Sequence, residues 1–256
     1  MRCRGGIAHS LLLVLLSGGV LMVLPAPSAA AQIRVAVASN FKNAMVAIIA
    51  RFEAVAGHRV SASFGATGKH YAQIKNGAPF DVFFAADTRR PERLEREGSA
   101  VPGTRFTYAV GKLILWSPEK GYVGAGAEVL ESGEFRHMAI ANPKLAPYGE
   151  AARAVLRALG AWDRLRGRLV RGENIGQAFQ FVKSGNAELG FVAYAQLKRP
   201  NQAIEGSFWE PPQALYTPIE QQAVLLREND TAGDFLSFVR SDEGLRIIRD
   251  YGYATP

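Results

Sequence analysis

Short apolar runs alternate with helical periods along most of this chain. Ile33-Arg34-Val35-Ala36-Val37-Ala38 has the composition of a buried strand. Phe41, Met45, Ile48, Ile49, Phe52 and Val55 then recur at helical spacing, and Gly57 supplies a helix stop. Residues 59–64 and 81–84 predict two more strands, with a short helix around 71–74 between them. A second set follows, with strands predicted at 112–116, 137–140, 169–170 and 189–192. Helices are predicted at about 150–159, stopped by Gly160, and at about 175–183. Residues 219–226 read as a long strand and 232–239 as a last helix, while the Pro- and Gly-rich stretch 198–218 reads as irregular. The repeated βαβ pattern predicts an α/β protein with two units, each a mostly parallel sheet flanked by helices. Extended segments near 106–115 and 217–225 predict two hinge crossings. The chain would start in one lobe, build the second and return, with a ligand cleft at the carboxyl ends of the strands.

The first residues belong to a different pattern. Arg2 and Arg4 precede an apolar run from Leu11 to Leu24, and Pro25-Ala26-Pro27-Ser28-Ala29-Ala30-Ala31 follows. A basic start, an apolar stretch and a small-residue site predict a secretory signal peptide cleaved near Ala31. The run is also shorter than the roughly 18–20 residues of a membrane span. Removal would take Cys3, the single cysteine, leaving no disulfide, thiol nucleophile or thiolate metal site. The division expected is therefore residues 1–31 as leader, 32–110 with 220–256 as lobe 1, and 111–219 as lobe 2. The chain carries 30 Lys and Arg against 23 Asp and Glu, a net +7 that falls to +5 without Arg2 and Arg4. These charges are scattered, and even Arg164, Arg166 and Arg168 alternate with other residues, so a solvated basic surface is favoured over a nucleic-acid site.

Candidate chemistry sits where strands meet helices. Ser39-Asn40 follows the first strand, and Gly65-Ala66-Thr67-Gly68 follows the second. A helix start offers unpaired N–H donors and a partial positive charge, Ser, Asn and Thr add neutral donors, and glycine lets backbone approach a ligand. The competing explanation is that Ser39, Asn40 and Thr67 simply cap helices. Two such junctions on neighbouring strands of one sheet would nevertheless point into one crevice. Enzyme chemistry finds less support. Gly65-Ala66-Thr67-Gly68-Lys69-His70 lacks P-loop spacing, Ser39 lacks a nucleophile elbow, and His58, His70 and His137 have no metal-ligand spacing and read as surface or turn residues. Asp87, ahead of Thr88 and a polar helix, reads as a cap rather than as half of a carboxylate pair with Asp81.

Four stretches carry a resemblance. Val35-Ala36-Val37-Ala38-Ser39-Asn40-Phe41, Gly65-Ala66-Thr67-Gly68-Lys69, Asn76-Gly77-Ala78-Pro79-Phe80-Asp81-Val82-Phe83-Phe84-Ala85-Ala86-Asp87 and Gly172-Glu173-Asn174-Ile175-Gly176-Gln177-Ala178 resemble the periplasmic molybdate-binding proteins of ABC transporters. The resemblance extends from Ile33 to Tyr251-Gly252-Tyr253. It implies a two-lobed periplasmic-binding-protein type II fold that captures a tetrahedral oxyanion, molybdate or tungstate, between its lobes. It implies Ser39, Asn40 and Thr67 as contacts from lobe 1, and backbone N–H groups of Tyr148 and Ile175 from lobe 2. Many members place a ligand tyrosine where this chain has Ala193, with Tyr194 beside it. The protein implied is a monomer in the periplasm, without catalysis or resident cofactor, that delivers its anion to the permease of an ABC importer in the inner membrane. A same-fold binder of sulfate, phosphate or an organic anion stays open beside it, as does a transferase on this fold.

Overall fold

The computed structural model describes residues 31–256; the leader expected over 1–31, Cys3 included, lies outside the described residues apart from Ala31. The first half opens with β1 (Gln32–Ala38), a short 3-10 turn at Ser39–Phe41, and α1 (Lys42–Ala56). Ala44, Met45, Ile48 and Phe52 make the buried stripe of α1, and Gly57 ends it in the left-handed region at φ 69°. Then come β2 (Arg59–Gly65), α2 (Thr67–Lys75), β3 (Val82–Phe84), α3 (Arg89–Arg96) and β4 (Phe106–Gly111). Only Lys112 separates β4 from β5 (Leu113–Ser117), which belongs to a different sheet. That half continues with α4 (Glu128–Ser132), β6 (Met138–Ala141), α5 (Pro147–Ala158), α6 (Trp162–Leu165), β7 (Leu169–Gly172), α7 (Ile175–Lys183), β8 (Leu189–Ala193), α8 (Tyr194–Leu197) and β9 (Ser207–Trp209). The chain returns through β10 (Ile219–Leu225) and ends in α9 (Asp230–Arg240) and α10 (Asp242–Asp250).

Each sheet has five strands, in the orders β2-β1-β3-β10-β4 and β7-β6-β8-β5-β9. The two share one plan. Three strands are parallel, as the βαβ pattern requires, and the crossing strands, β10 in one sheet and β5 in the other, run antiparallel to both neighbours. Strands β3, β6 and β8 and the second half of β1 are buried on both faces, which explains why their sequences there are apolar runs without alternation. On one face of the first sheet Phe41, Phe84, Tyr108 and Phe235 pack together; on the other, Phe83, Leu94 and Val224 do. The stretch 198–218 is less irregular than its composition suggests. Three of its residues form the edge strand β9, which pairs with β5 and buries Trp209, and Gln213–Leu215 form a 3-10 turn. A three-residue strand is too short for its alternation to register in sequence. Among the described residues no helix is long and apolar enough to cross a membrane.

Candidate functional site

Four helix starts converge between the lobes. Ser39 opens the turn after β1, Thr67 opens α2, Pro147 and Tyr148 open α5, and Ile175 opens α7; all line one cavity together with Asn40, Gly65, Ala86 and Asn174. The lobes are closed on it. The Gly68 N–H donates to Leu145 O across the cleft at 2.8 Å, the Gly176 N–H donates to Ser39 Oγ at 3.2 Å, and the cavity volume is about 10 Å3. Glycine suits that approach, since a Cβ at position 68 would sit 3.0 Å from Leu145 O and press the lobes apart.

The capping explanation for Ser39 and Thr67 does not hold. Both lie inside their helical turns, and the cap positions are Ala38 and Ala66, neither of which has a side-chain cap bond. Ala146 occupies the same position at α5, with Pro147 behind it. Alanine is a poor cap because it offers no acceptor. By contrast, α9 and α10, whose starts lie away from the cavity, are capped by Asn229 and Ser241. Only α7 among the four carries a cap, Asn174, which takes the Gln177 N–H and leaves that of Ile175. The cavity is thus lined with N–H groups at helix starts that no neighbouring side chain has claimed.

The hydroxyls are oriented to donate. Thr67 Oγ1 is buried and accepts the Ala86 N–H at 3.1 Å, which leaves its proton free. Ser39 Oγ accepts from Gly176 in the same way. Asn40 has a different role from a side-chain ligand. Its Nδ2 donates to Gln221 Oε1 at 2.7 Å and to Tyr253 Oη at 3.0 Å, so what it can turn to the cavity is its backbone N–H. Pro147 has no N–H, and Gly149 and Glu150 both donate to Ala146 O, leaving Tyr148 N–H as the first donor of α5. All five residues, Ser39, Asn40, Thr67, Tyr148 and Ile175, line the one cavity.

Among the described residues no charged side chain lines this cavity. A larger one beside it, about 350 Å3, is lined by Asp87, Glu150 and Glu220, of which Asp87 and Glu150 are paired with Arg90 and Arg89. Asp87 accepts from the Arg90 N–H at the start of α3 and pairs with its guanidinium. Burial raises its pKa and Arg90 opposes that. Asp81 is a separate structural clamp that accepts from Arg34 N and Arg227 Nε, each at 2.6 Å. Tyr194 packs against Phe208 and Gly252 with Lys112 over its ring, and is not part of the cavity wall; Ala193 is fully buried in β8. His70 corrects the surface expectation. It is buried beneath α2 against Phe80 and Phe83, because its position one turn after Thr67 faces the sheet. Among the described residues no group of three or more His, Cys, Asp or Glu could hold a metal ion.

Sequence reasoning overlooked Gly176, whose N–H reaches Ser39, and Gln221, which holds Asn40. Gln221 did carry a signal. It shares the alternating inward register of β10 with Ile219, Ala223 and Leu225, as an amide on an otherwise apolar face.

Residues 33–254 match the family described as bacterial extracellular solute-binding protein. The chain is 48% identical over 247 residues to the molybdate-binding protein ModA of Azotobacter vinelandii, covering 95% of this chain and 97% of that one. It is 46% identical over 239 residues to ModA of Rhodobacter capsulatus, covering 92% and 93% respectively. The solved structure of the Azotobacter vinelandii periplasmic molybdate-binding protein superposes with a TM-score of 0.85 at 44% identity, over 88% of this chain and 99% of that one.

Proposed function

Because the chain belongs to the bacterial extracellular solute-binding proteins, and among them to the molybdate-binding family, we infer that it captures molybdate between its lobes and delivers it to an ABC importer. The observation that carries this reading is the convergence of four helix starts, three with alanine at the cap position, on a cavity without charged side chains. Each start contributes a partial positive charge of about half a unit. Hydrogen bonds to a charged acceptor contribute about 1.5–3 kcal/mol each, so several hold a dianion without lysine or arginine. Ser39 Oγ–H, Thr67 Oγ–H and the N–H groups of Asn40, Tyr148 and Ile175 would form the donor set.

This donor set also explains selectivity. The lining offers donors and, among the described residues, no carboxylate to accept a proton, so a protonated oxyanion such as hydrogen phosphate would bring an O–H poorly matched to the site, which is costly where it is buried. Sulfate matches molybdate in charge and shape but is smaller, and would leave donors fixed by two closed lobes out of reach. Tungstate, nearly isosteric with molybdate, would bind alongside it. The protein would reach the periplasm after loss of residues 1–31, bind as a monomer and present its closed form to the permease. Binding itself is the whole activity, with the anion as cargo rather than cofactor. Equilibrium dialysis of the mature protein against molybdate, tungstate, sulfate and phosphate tests this. Retention of the first two alone is expected, and retention of sulfate or phosphate in preference would replace the ligand.

A further inference from the structure

Beneath the cavity lies a buried polar cluster that donor capture does not by itself require. Gln221 on β10 is fully buried, and three residues converge on its amide. Its Oε1 accepts from Asn40 Nδ2 at 2.7 Å and lies 3.1 Å from Tyr108 Oη. Its Nε2 donates to Tyr148 Oη across the lobes, a longer contact of 3.4 Å. Tyr253 holds Asn40 from the other side, donating from its hydroxyl to Asn40 O at 2.9 Å while accepting from Asn40 Nδ2 at 3.0 Å. The strand geometry is shaped for this. Gln221 faces Ala109 and Gln222 faces Thr107, so β4 carries one extra residue, Tyr108, whose bulge sits at the cluster. Gly111, the last residue of β4 before the crossing, leaves the space these groups use. A Cβ there would collide with the Tyr148 hydroxyl and come within 2.6 Å of Gln221 Nε2.

In the donor set proposed above, Asn40 and Tyr148 would each turn a backbone N–H to the anion, one from each lobe. We propose that Gln221 is a positioning residue for the anion: by holding Asn40 through its oxygen and Tyr148 through its nitrogen, it sets the span between a donor of each lobe at the hinge. This rests on the molybdate-capture reading above. A fixed span favours an anion of one size, so releasing it costs selectivity as well as affinity. General loss of stability in a protein that still folds would leave the preference between two anions unchanged.

The test measures the dissociation constants of molybdate and sulfate, by calorimetry with competition, for wild type, Q221M and Y148F. Y148F removes a single oxygen and carries the test alone should Q221M not fold. Molybdate binding weakened about tenfold in Q221M and about threefold in Y148F, with a narrowed molybdate-over-sulfate preference in each folded variant, is expected. Molybdate constants within about twofold of wild type, or weakened with the preference unchanged, would overturn the inference. A wild type that binds neither anion would instead overturn the capture reading on which it rests.

Discussion

Replacing Thr67 with valine separates what its hydroxyl does for the fold from what it does for the ligand. The two side chains have nearly the same shape, so packing around this buried position is preserved. Two interactions go. The Ala86 N–H, held at 3.1 Å by Thr67 Oγ1, is left buried without an acceptor, at a cost of about 1–3 kcal/mol. For a chain of this size that is a fall of about 2–12 °C in the Tm of the ligand-free protein. The second loss is a donor to the anion, worth about 1.5–3 kcal/mol, or about 10- to 150-fold in molybdate Kd. Differential scanning calorimetry without ligand reads the first, and isothermal titration reads the second on protein that remains folded at 25 °C. Ser39→Ala provides the contrast, since Ser39 is only half-buried and its partner Gly176 N–H is at a helix start. It is expected to lower affinity over the same range with a smaller change in Tm. If Thr67→Val lowers the Tm but leaves the molybdate Kd unchanged, the hydroxyl serves the fold alone and the donor argument fails for this residue.

Three further outcomes follow from the same geometry. Ala66→Asp supplies the missing cap of α2, and its carboxylate would claim donors that the anion needs; loss of two such bonds predicts at least about 100-fold weaker molybdate binding, and undiminished affinity by titration would refute the uncapped-helix argument. Burial lowers the His70 pKa below its ordinary 6.5, so stability from the neutral imidazole is complete above pH 6.5 and is lost as pH falls below it towards the folded value. Urea midpoints should therefore drop from pH 7 to pH 5 in wild type and drop less in His70→Gln, and equal slopes would remove His70 as the cause. The cross-cleft pair Lys69–Glu173 is more than half exposed, so Lys69→Met should change molybdate binding by less than about 1 kcal/mol, and a larger loss by titration would show that charge at the cleft mouth matters.

The fold was legible because β3, β6, β8 and the second half of β1 are buried on both faces and so read as apolar runs, with helical periods between. The short pieces were not: β9, α4, α6 and α8 are three to five residues long, too few to show a period. The reversed direction of β5 and β10 was also hidden, since direction depends on which strand becomes a neighbour and not on a strand's own residues. At the site, strand–helix junctions pointed to Ser39 and Thr67 because helix starts have a recognisable local grammar. What the grammar could not supply was the register of the turn. A one-residue offset makes Ala38 and Ala66 the caps and frees both hydroxyls for other work. Asn40, expected as a contact without its donating atom being specified, gives its side-chain amide to Gln221 and Tyr253, residues 181 and 213 positions away, a pairing that sequence spacing does not reveal. His70 was misread for a related reason, since a polar residue in a short helix looks exposed until the sheet beneath it is known.

The central claim is that a dianion sits among the starts of four helices, and crystals grown with molybdate test it directly through the anomalous scattering of molybdenum. A single strong peak is predicted within hydrogen-bonding distance of Ser39 Oγ, Thr67 Oγ1 and the backbone nitrogens of Asn40, Tyr148 and Ile175. A peak in the neighbouring cavity beside Asp87 and Glu150, or no bound molybdenum at saturating molybdate, would contradict it.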